Sequence, residues 1–226
     1  MHIYQIIFII EPLFPLIPLI TLSLKRSGRP RWIIHLRRYL ASYIILVSLA
    51  NSVYYLKPLL EHIFSEEFLG RINNSIFNIT LSALTFCFFA LIFEEFLPSK
   101  FKIINRTIMF IAVLFFIANT IWWEGINVFN TYSAALANFI LIGYCVSYYQ
   151  RQLQSLQTLF IEKQPSFWIV SGIFIYCAGN FFLFTTYNYL TFHYTIFAFY
   201  SWYINDFLIL IMNIFFAKGI QCASQK

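Results

Sequence analysis

Residues 166–189 read SFWIVSGIFIYCAGNFFLFTTYNY, twenty-four positions without a charged side chain. A helix needs about 20 consecutive apolar residues to cross the hydrocarbon core of a bilayer, so this stretch is long enough to span by itself. Six further stretches share the property, at about Ile3–Leu24, Ile33–Leu56, Asn73–Phe93, Ile103–Trp123, Val128–Tyr149 and Thr195–Ala217. With Ser166–Tyr189 they predict an all-α membrane protein, a seven-transmembrane-helix bundle forming a single domain over residues 1–226.

Composition agrees. Only 11% of the residues are charged, against roughly 25% in soluble chains, and the mean hydropathy is +0.72. Seven helices take up about 140 residues, which leaves no room for a soluble domain between them. The connections are short and carry turn chemistry, as in Ser27-Gly28-Arg29-Pro30 and Leu97-Pro98-Ser99. The first stretch does not read as a cleavable signal peptide. Its charges follow the apolar core, and Glu11, Pro12, Pro15 and Pro18 interrupt it.

The net charge of +6 is not a nucleic-acid signature, because the basic residues flank the spans. Thirteen of the 15 fall on alternate connections: Lys25, Arg26, Arg29, Arg31, Arg37 and Arg38 on the first, Lys100, Lys102 and Arg106 on the next, then Arg151, Lys163, Lys218 and Lys226. The other side receives Lys57 and Arg71, with Glu61, Glu66, Glu67 and Glu124. Basic residues in short loops favour the cytoplasm, which predicts an outside N-terminus, a cytoplasmic C-terminus and a place in the cell's inner membrane. Anionic lipid at the cytoplasmic face is the expected contact of these charges. Tyr54, Tyr55, Trp122, Trp123, Tyr187 and Tyr189 suit the outer interface, and Trp32, Tyr148, Tyr149 and Trp168 the inner one.

Two connections read as more than turns. Outside, Leu59, Leu60, Ile63, Phe64, Phe68, Leu69 and Ile72 recur at helical spacing among acidic residues, the pattern of a surface helix. Inside, Leu153, Leu156 and Phe160 prolong the fifth helix along one face of a Gln-rich segment. That face rests on lipid or docks a cytoplasmic partner.

Ionisable residues inside a membrane mark function by default. At 1.5 Å per residue, Glu11 lies roughly 12 Å and Asp206 roughly 16 Å inside the outer ends of their helices. Asn51, Asn78, Asn119, Asn138 and Asn180 occupy other helices, and Asn205 adjoins Asp206. These residues, with Trp202, predict either an outward-opening polar pocket with Glu11 and Asp206 at its floor or a set of interhelical hydrogen bonds. Ser133, Ala134, Ala137, Ala178 and Gly179 allow close helix approach. No cofactor or metal is expected: the histidines form no ligand cluster, and no cysteine pair has metal spacing. Covalent retinal is excluded because the only lysine of the seventh helix, Lys218, lies at its inner end.

The run Phe167-Trp168-Ile169-Val170-Ser171-Gly172, continued by Ile175-Tyr176-Cys177-Ala178-Gly179-Asn180-Phe181-Phe182-Leu183-Phe184, resembles a pattern of uncharacterised small bacterial seven-helix membrane proteins. Similar modules form the input regions of some sensor histidine kinases. Residues 129–136 and the segment Trp202-Tyr203-Ile204-Asn205-Asp206 look like further family segments. Members often carry a His-Asn pair after that tryptophan, where this chain has Asn205-Asp206. The resemblance implies a sensory or signalling membrane module. Since no stretch is long enough for a kinase or cyclase, it would act through a partner such as a histidine kinase. A small transporter or an accessory subunit of a membrane complex is the alternative. An enzyme is not expected, a lipid-acting one being the third reading.

Overall fold

The computed structural model describes residues 10–23, 30–60, 74–125, 129–154 and 161–223. Among these there is no strand, and seven α-helices follow in order: α1 (Leu16–Ser23), α2 (Arg31–Leu60), α3 (Asn74–Phe96), α4 (Ser99–Ala118), α5 (Thr131–Gln154), α6 (Pro165–His193) and α7 (Thr195–Ala223). Five carry stretches long and apolar enough to cross a membrane: Arg31–Ser52, Ile76–Phe96, Ser99–Trp123, Pro165–His193 and Ile196–Ala223. By the length and composition of its helices this is a multi-pass membrane protein.

The other two expected spans differ for identifiable reasons. The first is not one continuous helix within residues 10–23: a 3-10 turn at Glu11–Leu13 precedes α1. Pro12, Pro15 and Pro18 lack the amide proton that a helix interior needs, so only one short helix forms after Pro15. α5 has 24 residues but is more polar than the five. Its polar side chains Thr131, Ser133 and Asn138 are buried within the protein, so mean hydropathy understates how well it suits a bundle interior.

The helices also overrun the expected boundaries. α2 continues to Leu60, α6 to His193 and α7 to Ala223, because an apolar window marks the hydrocarbon core while a helix can continue into the interface. α4 starts at Ser99, not Ile103, with Pro98 as its N-cap. It ends in a widened, π-type turn at Asn119–Trp123, after which Gly125 adopts a left-handed φ of 81° that glycine takes without a Cβ clash. The expected outer surface helix falls largely on residues 61–73, outside the described residues.

Neighbouring helices run antiparallel. Trp32 and Tyr39 of α2 meet Phe96 and Phe89 of α3, and Tyr149 of α5 hydrogen-bonds Ser171 of α6 at 2.8 Å. Trp168 and Tyr187 of α6 pack on Phe215 and Trp202 of α7. The core is built at helical spacing from Leu36, Tyr39 and Leu40, from Phe86, Phe89 and Phe93, and from Ile209, Met212 and Phe216. Lipid is as apolar as these side chains, so close packing holds such helices together rather than the hydrophobic effect. Trp32 and Tyr148, expected at the inner interface, belong to this core. Tyr148 satisfies its hydroxyl against Ser166 at 2.8 Å.

α6 and α7 approach closely at two glycines. A Cβ on Gly172 would lie 2.9 Å from Phe215 Cβ and 3.2 Å from the Met212 carbonyl oxygen, and one on Gly179 would strike the Leu208 side chain. At the other extreme is α4, whose Ile103, Phe110, Ile111 and Trp122 are exposed, a face suited to lipid.

Candidate functional site

The antiparallel order sorts the charges. Among the described residues, Arg31, Arg37 and Arg38 of α2, Lys100, Lys102 and Arg106 of α4, Arg151 of α5, Lys163 and Lys218 lie towards one end of the bundle, where α2, α4 and α6 begin. Lys57, near the end of α2, lies towards the other.

A cavity of about 280 Å3 opens in the half of the bundle remote from that basic end. Five chain segments supply most of its wall. The turn before α1 contributes Glu11, α2 contributes Tyr43, Val47 and Asn51, and α3 contributes Asn78, Ser82 and Thr85. α6 supplies Tyr176, Phe184 and Tyr187, and α7 supplies Trp202, Asn205, Asp206 and Ile209. A smaller space of about 20 Å3 adjoins it, lined by Asn138.

Six of the nine residues that the sequence offered for a pocket therefore line one cavity, Glu11, Asn51, Asn78, Trp202, Asn205 and Asp206, and Asn138 lines the smaller space beside it. Asn119 and Asn180 do not. Asn119 is fully buried at the end of α4 and donates to Ser133 Oγ of α5 at 2.9 Å, which ties two helices together. Asn180 is fully buried on α6, one turn beyond Tyr176.

The broken first segment is what brings Glu11 to the cavity. Its carboxylate accepts a hydrogen bond from the Tyr43 hydroxyl at 2.7 Å. Asp206 reaches the same cavity from α7 and is half-buried. Beside it, Asn205 is 5% exposed, and its Oδ1 has no hydrogen-bond partner among the described residues. No lysine, arginine or histidine is among the described residues that line the cavity. At the rim the rings of Phe129, Phe184, Tyr187 and Trp202 form a cluster with centroids 4.9–6.5 Å apart. The Trp202 indole donates to the Tyr187 hydroxyl at 2.8 Å, which fixes the tryptophan's orientation.

Two carboxylates that sequence reasoning did not single out hold the frame. Glu124 takes Asn188 Nδ2 of α6 at 2.9 Å and the backbone amides of Thr131 and Tyr132 at 3.0 and 3.3 Å, and Asn119 Nδ2 also donates to it. A carboxylate at those amides complements the positive end of the α5 dipole. Nearby, Asn130 donates to the Thr120 hydroxyl. Towards the basic end, buried Glu94 of α3 accepts from Asn105 Nδ2 at 3.1 Å and from Arg106 at 3.3 and 3.4 Å, which clasps the α3–α4 hairpin. The spacing of Glu94 and Glu95 to Arg106 across Leu97-Pro98 was the available signal.

Among the described residues no group of three His, Cys, Asp or Glu side chains could hold a metal ion. Leu153, from the expected docking face, is 73% exposed near the end of α5. Leu156 and Phe160 lie outside the described residues. The chain matches no protein-family model, no curated protein and no solved structure.

Proposed function

We propose that this chain is a seven-helix sensory protein of the cell's inner membrane, with its N-terminus outside and its C-terminus in the cytoplasm, that receives a small ligand in its outer half. It passes the state of that site to a separate partner, a histidine kinase being the one the sequence resemblance implies. The observation that carries the reading is the cavity: polar residues from five separate segments converge on one space, in the half of the bundle remote from the basic end. Such a concave site with a few polar groups among aromatic walls is the usual form of a ligand pocket. In this reading α5 and the Pro-broken first segment complete the seven spans, and the basic end faces anionic lipid at the cytoplasmic surface.

The alternative, a small transporter or an accessory subunit, draws on the broken first segment that brings Glu11 to the cavity, since interrupted helices at a binding site are a feature of transporters. Two measurements separate the readings. Purification from native membranes followed by mass spectrometry is expected to recover a signalling partner, whose binding is lost when Leu153, Leu156 and Phe160 are replaced by serine. Solute flux across proteoliposomes that depends on Asp206, without any partner, overturns the sensory reading.

A further inference from the structure

We infer that the cavity is a site for a small organic cation, a protonated primary amine carrying an apolar group about the size of one aromatic ring. The inference rests on the cavity being a ligand site and adds the ligand's chemistry.

Among the described residues the lining contains two carboxylates, Glu11 and Asp206, and no basic side chain. A carboxylate inside a membrane protein is expensive unless paired with a cation or hydrogen-bonded. Glu11 has Tyr43 as a donor and Asp206 has the Asn205 side chain, but among the described residues no cation lines the cavity beside either carboxylate. A ligand ammonium supplies the missing charge.

Asn205 Oδ1 points to the same conclusion independently. It is an acceptor on a 5% exposed residue lining the cavity, and no donor among the described residues reaches it. An ammonium N–H is a donor, whereas an anionic ligand would bring a further acceptor to a place that already has three.

The rest of the wall suits a cation as well. Eight of the twenty described lining residues are aromatic, and ring faces attract cations through their quadrupoles, Trp most strongly. Trp202 stands four residues before Asp206, one helical turn along α7. A ligand can therefore place its ammonium near the carboxylate and its apolar part among Phe129, Phe184 and Tyr187. The volume of about 280 Å3 sits at the lower edge of ordinary ligand pockets, about 300–1,000 Å3, which limits the ligand to roughly one ring.

The test uses the full chain in lipid nanodiscs and three matched probes: phenethylamine, 2-phenylethanol and 3-phenylpropionate. Binding is read by calorimetry and by the shift in thermal unfolding. Phenethylamine is expected to bind at least about tenfold more tightly than the alcohol, and the carboxylate most weakly. Asp206→Asn is expected to erase the preference for amine over alcohol while alcohol binding persists, which also shows that the variant is folded. Asp206→Glu is expected to retain the preference, and Trp202→Leu to weaken amine binding. Equal binding of amine and alcohol, or tighter binding of the carboxylate, overturns the cation assignment but leaves the cavity a ligand site. Binding of none of the three overturns the assignment and removes the cavity's support for the sensory reading. A preference for amine unchanged in Asp206→Asn overturns the role given to that carboxylate.

Discussion

Tyr43 and Glu11 are 32 positions apart in sequence, and the tyrosine hydroxyl donates to the Glu11 carboxylate at 2.7 Å. This bond joins a Pro-interrupted segment to the middle of α2 and brings the carboxylate to the wall of the cavity. It makes the first segment part of the candidate site rather than a peripheral anchor.

The bond predicts coupling between the two positions. In a double-mutant cycle with Tyr43→Phe and Glu11→Ala, the expected interaction energy is about 0.6 kcal/mol, up to about 1.7 kcal/mol, the range of interhelical hydrogen bonds measured in a membrane protein. Unfolding in nanodiscs measures it. Strict additivity would show that the bond does not form in the bilayer.

Glu124 predicts a larger effect outside the cavity. Glu124→Ala removes the acceptor for Asn119, Asn188 and the first amides of α5. Loss of a helix N-cap alone costs about 0.5–2 kcal/mol, so the variant should melt at a clearly lower temperature. Glu124→Gln keeps an acceptor oxygen and should fall between the two. Unchanged melting of Glu124→Ala would show that water replaces the carboxylate without penalty.

Glycine substitutions separate packing from propensity. Gly172→Val drives a side chain into Phe215 and the Met212 carbonyl, and overpacking of this kind costs about 1–3 kcal/mol. Gly143→Ala meets nothing within 4 Å and should be neutral or stabilising by up to about 1 kcal/mol. Thermal melts of the two variants side by side check the contrast.

Orientation is tested by labelling. With Cys87, Cys145, Cys177 and Cys222 replaced, Tyr194→Cys, at an exposed position between α6 and α7, should react with a membrane-impermeant maleimide on intact cells. Leu153→Cys should react only after permeabilisation. The reverse pattern would invert the proposed topology and place the cavity in the cytoplasmic half.

Legibility in sequence differed sharply between fold and site. The helices were readable because each is a run of apolar residues closed by Pro, Gly or charge, and a bilayer imposes a minimum length that few other folds share. Even so, α5 was blurred in hydropathy by polar residues that turn inwards, and the prolines of the first segment gave no measure of where its helix would begin. The site was only half legible. Glu11 and Asp206 stood out as isolated charges in apolar surroundings, but Asn119 and Asn180 carry the same signal as Asn51 and Asn78 and do not line the cavity. Tyr43 and Thr85 do, with nothing in their local sequence to mark them.

By itself, then, the sequence determined that the chain is helical, that its helices suit a membrane, and that its basic residues segregate onto alternate connections. Only the tertiary structure decided which polar residues share a space, which are clasped in pairs such as Glu94 with Arg106, and which close gaps such as that between Gly172 and Phe215. The physical reason is rotational. A helix that is apolar on every side has no polar stripe to say which face turns inward. Its rotation is set by steric fit against its neighbours, and that fit exists only once the bundle has packed.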